Sequence, residues 1–221
     1  MSKSISKQRW DKLWNRMIAY GINDVPLKEM PLNISGFSKE PGETSARIMI
    51  LLATAFSASN DSETDRIADW LKTESIWQFA GETEKMFFRE HHHSDEEKGK
   101  LSFRFEGAYL LAWALKLVDI APDPSSECDA ELVGDFFAGV PPLLDDVSPI
   151  FEDPKYRAIA AIHDEYLFYK MAELYFNHIQ KEDRENTSNV HESAAKERLL
   201  VLEWLLNEDD PDWDTLTDET A

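Results

Sequence analysis

One cysteine, eight glycines and no apolar run longer than eight residues limit what this 221-residue chain can be. Cys128 has no second cysteine to bridge, so an internal disulfide is excluded and stability has to come from packing. The longest apolar stretch, Ala108 to Leu115, falls well short of the roughly 18 residues that suggest a membrane span. Lys3, Lys7 and Arg9 open the chain without an apolar run behind them; no secretion leader is read there, and the expected compartment is the cytoplasm. Also missing are the phosphate-cradling GxxxxGK(S/T), GxGxxG, the GxSxG elbow and any CxxC pair, so no cofactor is implied.

Basic residues are scarce as well. There are 23 Lys and Arg against 43 Asp and Glu, a net charge of −20, and the imbalance is uneven. Residues 1–60 hold eight bases and five acids, whereas the stretch between Lys116 and Lys155 holds ten acids and no base. A surface of this sign repels phosphate backbones and anionic lipid, which argues against nucleic-acid and membrane binding. It suits a basic protein partner, or simply solubility. Oligomeric state is not set by these features.

What the chain does have is bulky apolar material at helical spacing, with seven Trp, twelve Phe and six Tyr. Ser6 caps a first helix that ends near Gly21, with Trp10, Leu13, Trp14, Met17 and Ile18 on one stripe. Pro26, Pro31, Gly36 and Pro41 mark an extended connection. A second helix is expected over 44–58, with Ile48, Leu51, Leu52, Ala55 and Phe56 inward. Short helices follow around Ile67 to Leu71 and over 83–90. His91 to Lys100 reads as a polar loop, Leu101 to Phe105 as a brief extension at most, and 102–118 as a central helix apolar on every face. The acidic segment 119–154 is expected to be irregular apart from a helix over 130–137. Two long helices, 155–180 and 188–206, precede an acidic C-terminal tail. The expected fold is all-α: a single-domain, irregular helical bundle, with residues 1–42 forming an N-terminal helix and connection packed on a helical domain of 43–221.

Glu106 is the conspicuous residue of the central helix, where it shares a stripe with Phe103, Leu110, Trp113 and Leu117. A buried carboxylate costs several kcal/mol unless paired, so a fixed cation is expected beside it, with Arg47 or Arg198 favoured. Arg104 is only two residues away and points elsewhere on a helix. In the 155–180 helix, His163, Tyr166, Lys170, Glu173 and Asn177 share a polar stripe, readable as a pocket wall or as a solvent-facing stripe with a Lys170–Glu173 ion pair. No metal site is expected. His91, His92 and His93 are consecutive and cannot all face one ion, and HESAA at His191 lacks the second histidine of a zincin. Cys128 sits among acids, which disfavours a reactive thiolate.

In succession, Arg47 to Phe56, Trp70 with Leu71 and Trp77, the block Leu101 to Leu115, Tyr169 with Lys170, Glu197 with Arg198, Leu202 to Leu205, and Asp212 to Asp214 with Thr217 and Asp218 give the chain a recognisable pattern. It resembles the bacterial proteins grouped as domain of unknown function 4272, over roughly residues 45–220. The resemblance implies a mostly helical fold and no established activity. Where the family tends to place Arg, Leu, His and Trp after its tyrosine, this chain has Lys170, Met171, Ala172 and Glu173; Glu203 stands where the family favours Asn. Glu106, Arg198, Trp204 and Trp213 are retained.

Candidate binding residues are Glu106, Tyr166, Lys170, Glu173, Arg198 and Trp213. Two functions are weighed. The first is a non-catalytic protein-binding or inhibitor module of immunity type, suggested by the acidic imbalance and the lack of catalytic motifs. The second is a small-ligand binder or enzyme that uses Glu106, Tyr166, Lys170 and Glu173 in a cleft between the central and penultimate helices, with a raised carboxyl pKa. A structural subunit of a larger assembly is a third possibility, marked by an extended apolar patch.

Overall fold

A computed structural model of the chain describes residues 6–25, 36–90, 92–207, 209 and 212–219, the side chains of 218 and 219 excepted. Residues 26–35 of the connection expected over 22–42 lie outside the described residues, as does His91. The fold is all-α, with no strand among the described residues.

Helix α1 (Lys7–Ala19) is capped by the Ser6 side chain, and Gly21, at φ +81°, ends its final turn in a left-handed conformation that glycine adopts without strain. Leu13 and Met17 are buried, Trp10 and Trp14 half-buried. Ile18 is 50% exposed, a correction to the expected stripe: it lies a full residue, about 100° of helix, beyond Met17. Helix α2 (Pro41–Ser59) starts with Pro at its first position, and the Glu43 carboxylate accepts the Glu40 N–H. Its middle is buried all round, but Phe56, expected inside, is 42% exposed. Helices α3 (Thr64–Thr73) and α4 (Glu82–Arg89) bury Ile67, Trp70 and Leu71, and Phe87 and Phe88.

The expected loop 91–100 is largely helix α5 (Asp95–Ser102). Ser94 accepts from Glu97 N–H, and the Glu97 carboxylate accepts from Ser94 N–H at 2.8 Å. This is a complete capping box, with acids in the first turn facing the positive end of the helix dipole. Leu101 to Phe105 is therefore helical or turn, not extended. The central helix is α6 (Arg104–Ala114), shorter than the 102–118 expected. Lys116 turns left-handed at φ +62°, and Leu117 N–H bonds back to the Ala112 carbonyl, closing the helix. Arg157 holds that end by donating to the Trp113 carbonyl at 2.6 Å.

In the acidic segment lie α7 (Ala130–Gly139) and the single turn α8 (Ser148–Phe151). Helices α9 (Ile159–Lys181) and α10 (Glu192–Leu206) complete the bundle. The acidic C-terminal tail contains α11 (Trp213–Glu219), with Trp213 and Leu216 buried. Helix α6 packs between α2 and α10, and α10 in turn lies against α9. The layers approach closely at Gly107, where a Cβ would stand 2.7 Å from Val201 Cγ1 and 3.5 Å from Leu51 Cδ1. Helix α1 is tied to α9 by Arg9–Asp164 and Arg16–Glu165, both at 2.6 Å.

Candidate functional site

Glu106 enters the core in the first turn of α6, opposite the middle of α10, and meets Arg198 there. Arg198 Nη2 and Nε donate to Glu106 Oε2 at 2.6 and 3.2 Å. The arginine side chain is 0% exposed and the glutamate 5%. Arg198 Nη1 donates to the Asp123 carbonyl at 2.8 Å and the Tyr169 hydroxyl at 3.3 Å, and Nη2 also donates to the Ser126 carbonyl at 2.9 Å. All five N–H donors of the guanidinium are thereby used. Glu106 Oε1 accepts the Cys128 N–H at 2.8 Å, and Oε2 accepts the Cys128 thiol at 3.2 Å.

The charges reinforce the geometry. Burial works against the Arg198 charge, yet Tyr169 and Glu106 outweigh it and its pKa rises. Burial and the Glu106 carboxylate push the Cys128 thiol well above its usual range, so it is a hydrogen-bond donor and a poor nucleophile. Four of the hydrogen bonds made by Glu106 and Arg198, to Asp123, Ser126 and Cys128 backbone atoms and to the Cys128 thiol, reach the loop that follows α6. The pair therefore pins the start of the acidic segment onto the bundle.

Of the two arginines expected beside a buried Glu106, the structure places Arg198 there and pairs Arg47 with Glu84 instead. Sequence reasoning assigned Tyr166, Lys170 and Glu173 to a cleft shared with Glu106, and the structure does not bring them there. Helix α10 fills the space between α6 and α9. Lys170 instead bridges Glu173 at 2.7 Å and Glu203 at 2.8 Å. Burial acts to lower the Lys170 pKa, but these two carboxylates raise it overall. Tyr166, half-buried beside them, is pushed up to about 12 by burial and then by Glu203. His163, on the same polar stripe, is buried, and its Nε2 has no hydrogen-bond partner among the described residues.

Trp213 belongs to a separate cluster that the sequence did not reveal. Arg47 pairs with Glu84 at 2.7 Å and donates to the Phe79 carbonyl at 2.7 Å, its guanidinium 4.4 Å from the Trp213 ring. Arg104 pairs with Glu197 at 2.8 Å and lies 5.3 Å from the same ring. Burial raises the Glu197 pKa, with Arg104 opposing. A cleft of about 300 Å³ adjoins this cluster, between Lys39, Phe79, Lys85 and Trp204. The pairing of Arg47 with a glutamate 37 residues away leaves no spacing signal, which is why it escaped notice.

His93 Nε2 lies 3.0 Å from the carbonyls of Phe87 and Glu90, serving the end of α4 rather than a metal. Asp24, His178 and Glu182 converge closely enough to hold a cation, but Arg184 already bonds Asp24 at 2.9 Å and Glu182 at 2.8 Å.

The segments that carry the family resemblance, 70 or more residues apart in places, supply both buried clusters: Arg47, Arg104, Glu106, Tyr169, Glu197, Arg198, Trp204 and Trp213. A family model described as "Domain of unknown function (DUF4272)" matches residues 7–216. The chain belongs to that family. The match begins inside α1 and ends in α11, so the family fold spans nearly all the described elements. No curated protein and no solved structure matches the chain.

Outside these clusters, the acidic segment forms an unbalanced surface. All ten acids between Lys116 and Lys155 are exposed. Only Asp119, Glu127 and Asp153 have a basic partner among the described residues, namely Arg157, His191 and Lys155. Ile120, 62% exposed, and Phe137, 40% exposed, stand among them. No helix among the described residues is long and apolar enough to cross a membrane.

Proposed function

We propose that this chain is a non-catalytic protein-binding module of inhibitor type, which holds a basic protein partner on the surface of residues 117–154. One observation carries the reading: a run of ten exposed acids, mostly without counter-charges, interrupted by two exposed large apolar side chains. Unpaired carboxylates steer a cationic partner at long range, and apolar anchors within a charged rim supply the contact energy once it arrives. The fixed anchoring of the loop at Asp123, Ser126 and Cys128 supports the same reading, since a preorganised surface loses less entropy on binding.

The alternative, acid–base chemistry at Glu106, draws no support from the geometry. Both carboxylate oxygens are occupied by protein donors, and neither Glu106 nor Arg198 lines the clefts beside Trp213 and Trp77. The test is affinity capture with the full chain from its native host at rising salt. A partner rich in Lys and Arg, released progressively between about 0.1 and 0.5 M salt, is expected. A partner whose retention ignores salt, or recovery of small molecules alone, would contradict it.

A further inference from the structure

The groove between α2, the start of α4 and the end of α10 is filled by the chain's own C-terminal segment. Asp214 Oδ2 accepts from the Glu82 N–H at 2.7 Å and Oδ1 from the Thr83 N–H at 3.0 Å, so a carboxylate over 130 residues away caps α4. Gly81 makes room for it: a Cβ there would lie 2.5 Å from Asp214 Oδ1. Burial opposes the Asp214 charge, but these backbone donors outweigh it and its pKa falls below the ordinary value. One residue earlier, Trp213 is inserted beside the Arg47 and Arg104 guanidiniums and meets Trp204 edge-on at 6.4 Å. Leu216 is buried one turn later.

The tail does not complete this groove. Trp213 Nε1 and Arg47 Nε are buried donors without acceptors, and Glu84 Oε1 is a buried acceptor without a donor. The cleft of about 300 Å³ stays open next to Asp214, and Phe79 on its wall is 38% exposed. Acids on that wall are engaged within the protein: Glu43 on the Glu40 N–H, Glu82 on Lys85, Asp212 on the Thr215 N–H. The bases on the wall are likewise paired, Arg47 with Glu84 and Lys85 with Glu82, so the groove shows by its own contents, an indole, a carboxylate on two backbone donors and a buried leucine, which chemistry it accepts.

We propose that this groove docks a short helical segment of a partner protein carrying an aromatic residue, an acid directly after it, and an aliphatic residue three positions after the aromatic. The chain's Trp213, Asp214 and Leu216 hold that place in cis until such a segment displaces them. The acidic surface of residues 117–154 plays no part in this exchange, so the two ideas succeed or fail separately.

The experiment is a fluorescence-anisotropy titration of a labelled peptide with the sequence of residues 212–219 against the full chain. In the native chain the tethered tail competes at an effective concentration on the order of millimolar, so binding is weak. Asp214→Ala frees the α4 end, and Asp212→Ala loosens α11 by removing its cap on Thr215 while leaving the Asp214 seat at Glu82 and Thr83 intact. Either variant, with an unchanged circular-dichroism spectrum, is expected to bind the peptide about tenfold tighter than the native chain. Adding Gly81→Ala to Asp214→Ala fills the carboxylate's seat and is expected to abolish that gain. Equal binding by the native chain and both variants, absence of binding to all of them, or a gain that survives Gly81→Ala would overturn the proposal.

Discussion

Removing the Arg198 guanidinium leaves Glu106 buried with a charge and no cation, and also strips acceptors' partners from Asp123 and Ser126. Arg198→Ala is therefore expected to cost about 3–5 kcal/mol in urea unfolding. Arg198→Lys should recover little, because an ammonium offers three donors where the site uses five. His163 gives a second residue-scale expectation. Burial, then Arg9, lowers its pKa below 6.5, so the folded chain holds it neutral. The unfolded chain binds the proton first as pH falls, so stability is full above about pH 6.5 and declines below it until the folded pKa is reached. Urea midpoints measured from pH 7.5 to 5 should show that decline, and His163→Gln should flatten it.

At the scale of elements, the α6–α10 contact depends on the missing side chain of Gly107. Gly107→Ala places a methyl 2.7 Å from Val201 Cγ1 and is expected to destabilise by about 1–3 kcal/mol, read as a lowered thermal midpoint; Val201→Ala in the same chain should relieve part of it. Helices with long apolar stripes were legible in the sequence, and so was the burial of Glu106 against an arginine, because a charge inside an apolar period admits few explanations. The Ser94-Asp95-Glu96-Glu97 capping signal was present but lay in a segment too polar to suggest a helix, so α5 went unread. Helix α11 has little apolar content of its own and is organised by docking Trp213 between distant cations. The cleft at Arg47 was invisible for the same reason: it is assembled from α2, α4, α10 and α11, and no local period records that. Conversely, the polar stripe of α9 looked like a pocket wall because periodicity cannot say that another helix, α10, occupies the intervening space.

For the molecule as a whole, charge and architecture divide the labour. The bundle buries the Glu106–Arg198 and Arg47–Glu84 ion pairs and uses the first to fix the path of an acidic loop, while seven of the ten exposed acids of residues 117–154 have no basic partner among the described residues. Neutralising part of that surface with Glu131→Gln, Asp135→Asn and Glu152→Gln should leave the thermal midpoint within about 0.5 kcal/mol of stability of the native chain and weaken partner capture at low salt. The most direct measurement is hydrogen–deuterium exchange on the complex with the captured partner. Slowed exchange is expected in residues 117–154, with Ile120 and Phe137 inside the protected region and little change in α9. Protection confined to other elements, with 117–154 exchanging as in the free chain, would contradict the account.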